Sequence, residues 1–219
     1  MRRYLLAKLP AAYATALFAL CSGTAASQEF SADLVGLDAD GVPATGRINV
    51  AGGAVRIETP EITTGFFVYA SGKAYFVRPG QRVFMDAKQS SQLSQIFIPV
   101  DLETPCGNWQ AMAKLSGAAD NGAAWHCDHV GDEIVGERST VVFKAVSPRQ
   151  HSYTIWIDRK FGFPLRVRVE NGPTYQLERI DEKPQLPELF TVPHGYVKFD
   201  PLKLIERLKQ SDVWVEPPR

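Results

Sequence analysis

His126-Cys127-Asp128-His129 sets four potential metal ligands side by side, the densest concentration of chemistry in the chain. A zinc site needs four donors arranged tetrahedrally with characteristic spacing. Strand alternation would put His126 and Asp128 on one face and Cys127 and His129 on the other, so one face cannot gather all four. The remaining histidines are His151 and His194. His194 lies in Val192-Pro193-His194-Gly195, a turn sequence with no identifiable catalytic partner. Glu58 with Glu61 and Asp132 with Glu133 stand beside Pro60 and Gly131, and read as solvated strand ends and turns rather than acid–base pairs. There is no Gly-x-Ser-x-Gly elbow, His-Glu-x-x-His pair, phosphate loop or dinucleotide fingerprint. Neither catalysis, nor a cofactor, nor a metal is expected.

The chain begins with a basic start (Arg2, Arg3, Lys8), a mostly apolar run from Leu9 to Leu20, and the small residues Thr24-Ala25-Ala26. That order marks a secretory leader, residues 1–26, cleaved after Ala26. The run is shorter than the ~20 apolar residues a membrane span requires. Leu20 precedes Cys21 where a bacterial lipoprotein signal wants a small residue, so the expected product is periplasmic and carries no lipid anchor. Downstream of the leader the cysteines are Cys106 and Cys127. An isolated pair in an oxidising compartment reads as a disulfide, and closing this loop stabilises a fold by about 3 kcal/mol on the chain-entropy argument.

The full chain has 24 Lys and Arg against 24 Asp and Glu, and cleavage removes three cations and no acid. So weak a balance gives no footprint for nucleic acid and no polybasic membrane patch. Residues 27–210 suit one domain with a substantial core, followed by a tail at 211–219, and a monomer is expected.

Most of the chain reads as short strands. Thr154-Ile155-Trp156-Ile157-Asp158 and Pro164 to Glu170 alternate on either side of a loop containing Gly162, the mark of an antiparallel hairpin. Gly52-Gly53 and Ser71-Gly72 centre two more hairpins, and Pro79-Gly80 marks a further turn. Leu93, Ile96 and Phe97 share helical spacing. Thr104-Pro105 suits the start of a second helix carrying Trp109, Met112 and Ala113 on one stripe. Strands resume at Trp125, and Asp200-Pro201 suits the start of a closing helix.

The order of these features resembles exported bacterial proteins of the LolA-like half-barrel group, in a branch of unknown function. The residues that carry it are Gly46-Arg47, Arg56-Ile57, Gly136-Glu137, Ile157-Asp158, Gly162-Phe163-Pro164-Leu165-Arg166, Leu189-Phe190, Val192-Pro193 and Gly195-Tyr196-Val197-Lys198, spread over about Phe30 to Asp200. The resemblance implies a mainly β (α+β) fold, a curled antiparallel half-barrel sheet whose concave apolar face is covered by short helices. It also implies a lipid or acyl-chain ligand held without covalent bonds in that concavity. The alternative is an envelope protein-interaction or sensing module with a filled core. The Cys106–Cys127 pair departs from the carrier pattern, because a bridge beside the lid would restrict its opening. With alternation fixing each strand's faces, the expected wall residues are Phe66, Val68, Phe76, Ile155, Ile157 and Val167. The expected lid residues are Phe97, Trp109 and Met112. Arg166 and Arg168 are expected to face solvent.

Overall fold

The computed structural model describes residues 28–37, 43–58, 65–87, 92–115, 124–200, 202–203 and 205–206. The expected leader, the tail and most of the closing helix lie outside the described residues. In chain order the elements are β1 (Phe30–Leu37), β2 (Pro43–Ala51), β3 (Ala54–Glu58), β4 (Phe66–Ala70), β5 (Lys73–Arg78) and β6 (Val83–Asp86). Two helices follow, α1 (Gln92–Ile96) and α2 (Pro105–Leu115). Then come β7 (His126–Val135), β8 (Arg138–Val146), β9 (Ser152–Asp158), β10 (Phe163–Val169), β11 (Thr174–Asp181) and the two-residue β12 (Val197–Lys198).

Among the described residues twelve strands join one curled, unclosed sheet, ordered β12-β6-β5-β4-β3-β2-β1-β11-β10-β9-β8-β7. The expected hairpins form at Gly52-Gly53, Ser71-Gly72 and around Gly162. The expected antiparallel meander is interrupted twice. β1 pairs with β11 on one side and β2 on the other, joining the two arms of the sheet through its first and last long strands. β12 runs parallel to β6 and caps that edge.

Register places apolar residues in rows across the inner face, because directly paired residues share a face. Ala32, Ile48, Ile57, Phe67 and Phe76 form one such row from β1 to β5. Val167, Ile155 and Phe143 continue the same surface on the other arm. The main core gathers these rows under α1, α2 and the segment 97–100.

The β9–β10 turn is organised by Asp158, a buried carboxylate. Its Oδ1 accepts hydrogen bonds from the backbone N–H groups of Lys160 and Phe161, both at 2.7 Å, and its Oδ2 accepts one from Arg138 at 3.0 Å. Arg138 also pairs with Glu182, whose carboxyl is held below its ordinary range chiefly by the hydrogen bond from Lys160. Gly162 closes the same turn in the left-handed region, at φ +55°. Its carbonyl accepts from the Val100 N–H at 2.7 Å, linking the hairpin to the chain beneath the helices. A Cβ there would stand 2.7 Å from the Val100 carbonyl oxygen. Gly162→Ala should therefore lower stability by about 1–3 kcal/mol from backbone strain, plus the cost of displacing Val100. Gly136, at φ +61° with open space around it, isolates the strain. Urea unfolding should find Gly136→Ala the milder of the two, and equal losses would show that the Val100 contact does not matter.

Beyond β11 the chain crosses to the outer face. It passes through a 3-10 turn at Pro187–Phe190 and lays Val192 and Tyr196 on Phe66, Val68 and Val77. Arg56 stacks 3.4 Å above the Phe66 ring and donates to the Leu189 carbonyl at 3.4 Å, while Lys198 pairs with Asp86 at 2.7 Å. Residues 186–199 thus form a strap over the outer surface of the β3–β6 arm.

Candidate ligand-binding face beneath the helices

α2 begins at Pro105, where the missing N–H costs nothing because the first-turn donors have no helical partner. It buries Trp109, Met112 and Ala113 as their spacing expects. The Trp109 indole N–H donates to the Ile96 carbonyl at 3.1 Å, fastening α2 to the end of α1. An aromatic chain runs down from it: Trp109 to Trp125 at 5.6 Å between ring centroids, then Trp125 to Tyr153 at 5.7 Å. Alongside, Phe97 approaches Phe163 at 6.4 Å, and Phe163 meets Phe30 edge-on at 5.4 Å. The Cys106–Cys127 disulfide forms, with Cα atoms 5.9 Å apart, and ties the first turn of α2 to β7.

Among the nine residues expected to bind ligand, Phe97, Trp109, Met112, Ile155, Ile157 and Val167 are brought together in the main core under the helices. Phe76 shares their face but is half-buried, near the β6 edge. Phe66 and Val68 require correction. They belong to the outer-face cluster under the strap, and their neighbour Phe67 takes the inward position. Arg166 and Arg168 lie on the outer face as expected, but each guanidinium stands 5.4 Å from the Trp156 ring. That ring is buried, with its N–H donating to Glu133 at 2.8 Å.

Some of the groups that could do polar chemistry are held in structural pairings. Asp132 binds Arg159 at 2.5 Å and lies 3.8 Å from the His129 ring nitrogen. His126 and His194 are exposed. Among the described residues no group of three or more His, Cys, Asp or Glu could hold a metal ion. An open cleft of about 760 Å³ lies at the end of β7–β10, walled by Asp128, Lys144, Thr154, Arg168 and Glu170, a mixture of both charges, together with Ala145, Tyr153 and Val169 of the main core. No residue of the nine lines it.

Two features beneath the helices escaped the sequence. Trp125 was legible only as the start of a strand, yet it is the centre of the aromatic chain. Its buried indole N–H has no hydrogen-bond partner among the described residues. Burial also pushes the Tyr153 hydroxyl up to about 12, outweighing the hydrogen bond with Ser147 that lowers it. A folded state that favours the neutral phenol keeps its full stability below the unfolded value of 10.0 and loses it as pH rises from there to about 12. Tyr153→Phe should remove this loss. Unfolding midpoints of the two proteins should diverge in the variant's favour above pH 10, and parallel curves would reject the assignment.

No protein-family model matches the sequence, and no curated protein does. Solved structures do. Structural neighbours include a LolA superfamily protein. It comes from Nitrosomonas europaea, and the match covers 75% of this chain and 90% of that one at 11% identity and a TM-score of 0.33. The complex of Pseudomonas aeruginosa MucA and MucB is matched over 74% of this chain at 18% identity and a TM-score of 0.41. PNGF-II is matched over 84% of this chain at 7% identity and a TM-score of 0.50, a likeness of fold. The chain spans 55% of the chain matched in the MucA–MucB complex and 33% of PNGF-II.

Proposed function

We propose that this chain is a non-catalytic binding protein of the bacterial periplasm that takes an amphiphile beneath its two helices. Trp125 carries the reading. A buried donor without an acceptor costs about 1–3 kcal/mol; among the described residues the Trp125 indole N–H is one, set beside the apolar core under α2. A ligand with an apolar body and a carbonyl or carboxylate oxygen would satisfy both. Burying its chain would contribute ~0.8 kcal/mol per CH₂. The bridge at Cys106 holds the first turn of α2 to β7, and the Trp109 bond holds it to α1, so entry would come from movement of the Leu115 end of the helix.

The test is titration of the mature protein with a fluorescent fatty acid. Saturable uptake is expected, and Trp125→Phe should weaken it about three- to ten-fold, the loss of one hydrogen bond. Absence of uptake by both the oxidised and the reduced protein would reject the reading. The bridge has its own expected effect: the double change Cys106→Ser and Cys127→Ser should lower unfolding stability by about 3 kcal/mol and speed uptake. A variant as stable as the parent would mean that the bridge does not restrain α2.

MucB is solved in complex with MucA, and a protein partner is the second reading for this chain. It is favoured by the complete burial of Phe97, Trp109, Ile155, Ile157 and Val167 against one another, the state of a filled core rather than a binding cavity. The two readings separate on whether the purified protein carries lipid or carries another polypeptide.

A further inference from the structure

We infer that the free edge of β7 is a strand-addition site for an extended peptide that alternates apolar with basic residues. The two edges of the sheet differ. At one, β12 lies along β6 and the strap leads into it. At the other, β7 is 10 residues long and pairs with β8 alone among the described residues. Alternate residues of an edge strand turn their N–H and C=O groups outward, and the backbone of another extended segment is the natural match for them. Edges that must not pair are usually blunted by shortness, by lysine or by proline. His126 to Val135 contains neither residue type. Its bulge, between His129 and Gly131, leaves Gly131 to Val135 in unbroken register beyond it. Val130 is 49% exposed and Ile134 75%, so apolar side chains on this edge stand open to solvent.

Register sorts the side chains that an added strand would meet. Asp132 stands opposite Val141, which pairs with Ile157 of the inner face, so Ile134, two residues on, also lies on the inner side. Asp128 stands opposite Lys144 and Glu133 opposite Thr140, both on the outer side. A strand laid along β7 would continue the inner face with an apolar residue beside Ile134 and set its other side chains beside the two acids. Asp132 is already taken by Arg159. Asp128 and Glu133 have no ion-pair partner among the described residues; Glu133 accepts only the Trp156 N–H. Lysine or arginine on the outer side of the incoming strand would complete them. A second copy of this chain is a poorer occupant, because His126 to Val135 carries three acids and no lysine or arginine, and edge-to-edge pairing would set like charges together. The site lies on the rim of the sheet and does not depend on whether the inner face takes a ligand.

Fluorescence anisotropy of a labelled peptide of about seven residues, valine alternating with lysine or arginine, tests this against the mature protein. Saturable binding is expected, weakening as salt is raised. Two further versions carry N-methyl groups on alternate residues, one version for each edge of the peptide. One should bind like the parent and the other at least about ten-fold more weakly, because only the edge against β7 must donate. The double variant Asp128→Lys and Ile134→Lys should weaken binding about ten-fold while unfolding at the parent temperature, since both side chains are exposed. Leu186→Lys alters a similarly exposed apolar residue (68%) on the strap and should leave binding unchanged. Four results would overturn the proposal: no binding at low salt, the same affinity for both N-methylated versions, equal loss in the Leu186 variant, or a dimer that the double variant dissociates.

Discussion

Trp109→Ala should cost about 3–5 kcal/mol of unfolding free energy, the range for a large aromatic removed from a packed core. The ring is completely buried, and its loss would do three things together. It leaves a cavity between α2 and the sheet, removes the 3.1 Å hydrogen bond to the Ile96 carbonyl and leaves that carbonyl with the Ile98 N–H alone, and ends the aromatic chain that continues to Trp125 and Tyr153. Trp109→Phe keeps most of the volume and should cost roughly a hydrogen bond and a partial void, about 1–2 kcal/mol. Denaturant unfolding of both variants checks the ranking. A loss below about 1 kcal/mol for alanine would mean that α2 is only lightly held over the inner face, which would strengthen the case for a lid. The full loss would mean that any ligand must offset the withdrawal of this ring before it can enter.

Asp158→Ala should also be damaging, by about 2–4 kcal/mol, because it takes the acceptor from two backbone N–H groups and leaves Arg138 paired with Glu182 alone. The carboxylate is shared among Arg138 and the backbone N–H groups of Lys160 and Phe161. Removing it loosens the β9–β10 turn and, through the Gly162–Val100 hydrogen bond, the chain leading to α2. Asp158→Asn keeps an acceptor for Lys160 and Phe161 but gives up the charge, so it should recover part of the loss. The comparison is read in unfolding midpoints and in hydrogen exchange of the Phe161 and Val100 amides. If asparagine is as harmful as alanine, the Arg138 pairing carries the effect. If both are mild, the turn is held by Gly162 and packing alone.

Local patterns were the legible part of this fold. Alternation over Thr154 to Asp158 and Pro164 to Glu170 corresponds to β9 and β10, and the Trp109, Met112, Ala113 spacing to the buried stripe of α2. The cysteine pair was legible because only two cysteines follow the leader. Facing was lost where both sides of a strand are covered. Phe66, Phe67 and Val68 are all buried, the middle one by the core and the outer two by the strap, so no alternation remains to tell inside from outside. Trp156 shows the same effect: it is on the outer face, yet the Arg166 and Arg168 side chains and the Glu133 hydrogen bond cover it. Candidate-site geometry depended on contacts between residues far apart in sequence, such as Trp125 with Trp109 and Val100 with Gly162, which composition and period do not encode.

The position of β1 has a consequence for assembly. Its partners are β2, which follows at once, and β11, with Ser31 opposite Asp181 and Leu37 opposite Thr174. A chain delivered from its N-terminal end can form the β1–β6 arm early, but both edges of that arm, β1 and β6, stay open until β11 and then β12 have emerged. Long-range strand pairing of this kind pays its loop-closure entropy before any contact rewards it, and it is intrinsically slow. Until then the row containing Ala32 and Ile48 has no opposite arm, and the nascent protein presents a sheet edge and an apolar face together, the combination most prone to misassociation. Pairing of β11 with β1 is therefore the step that brings the two arms together over this apolar face.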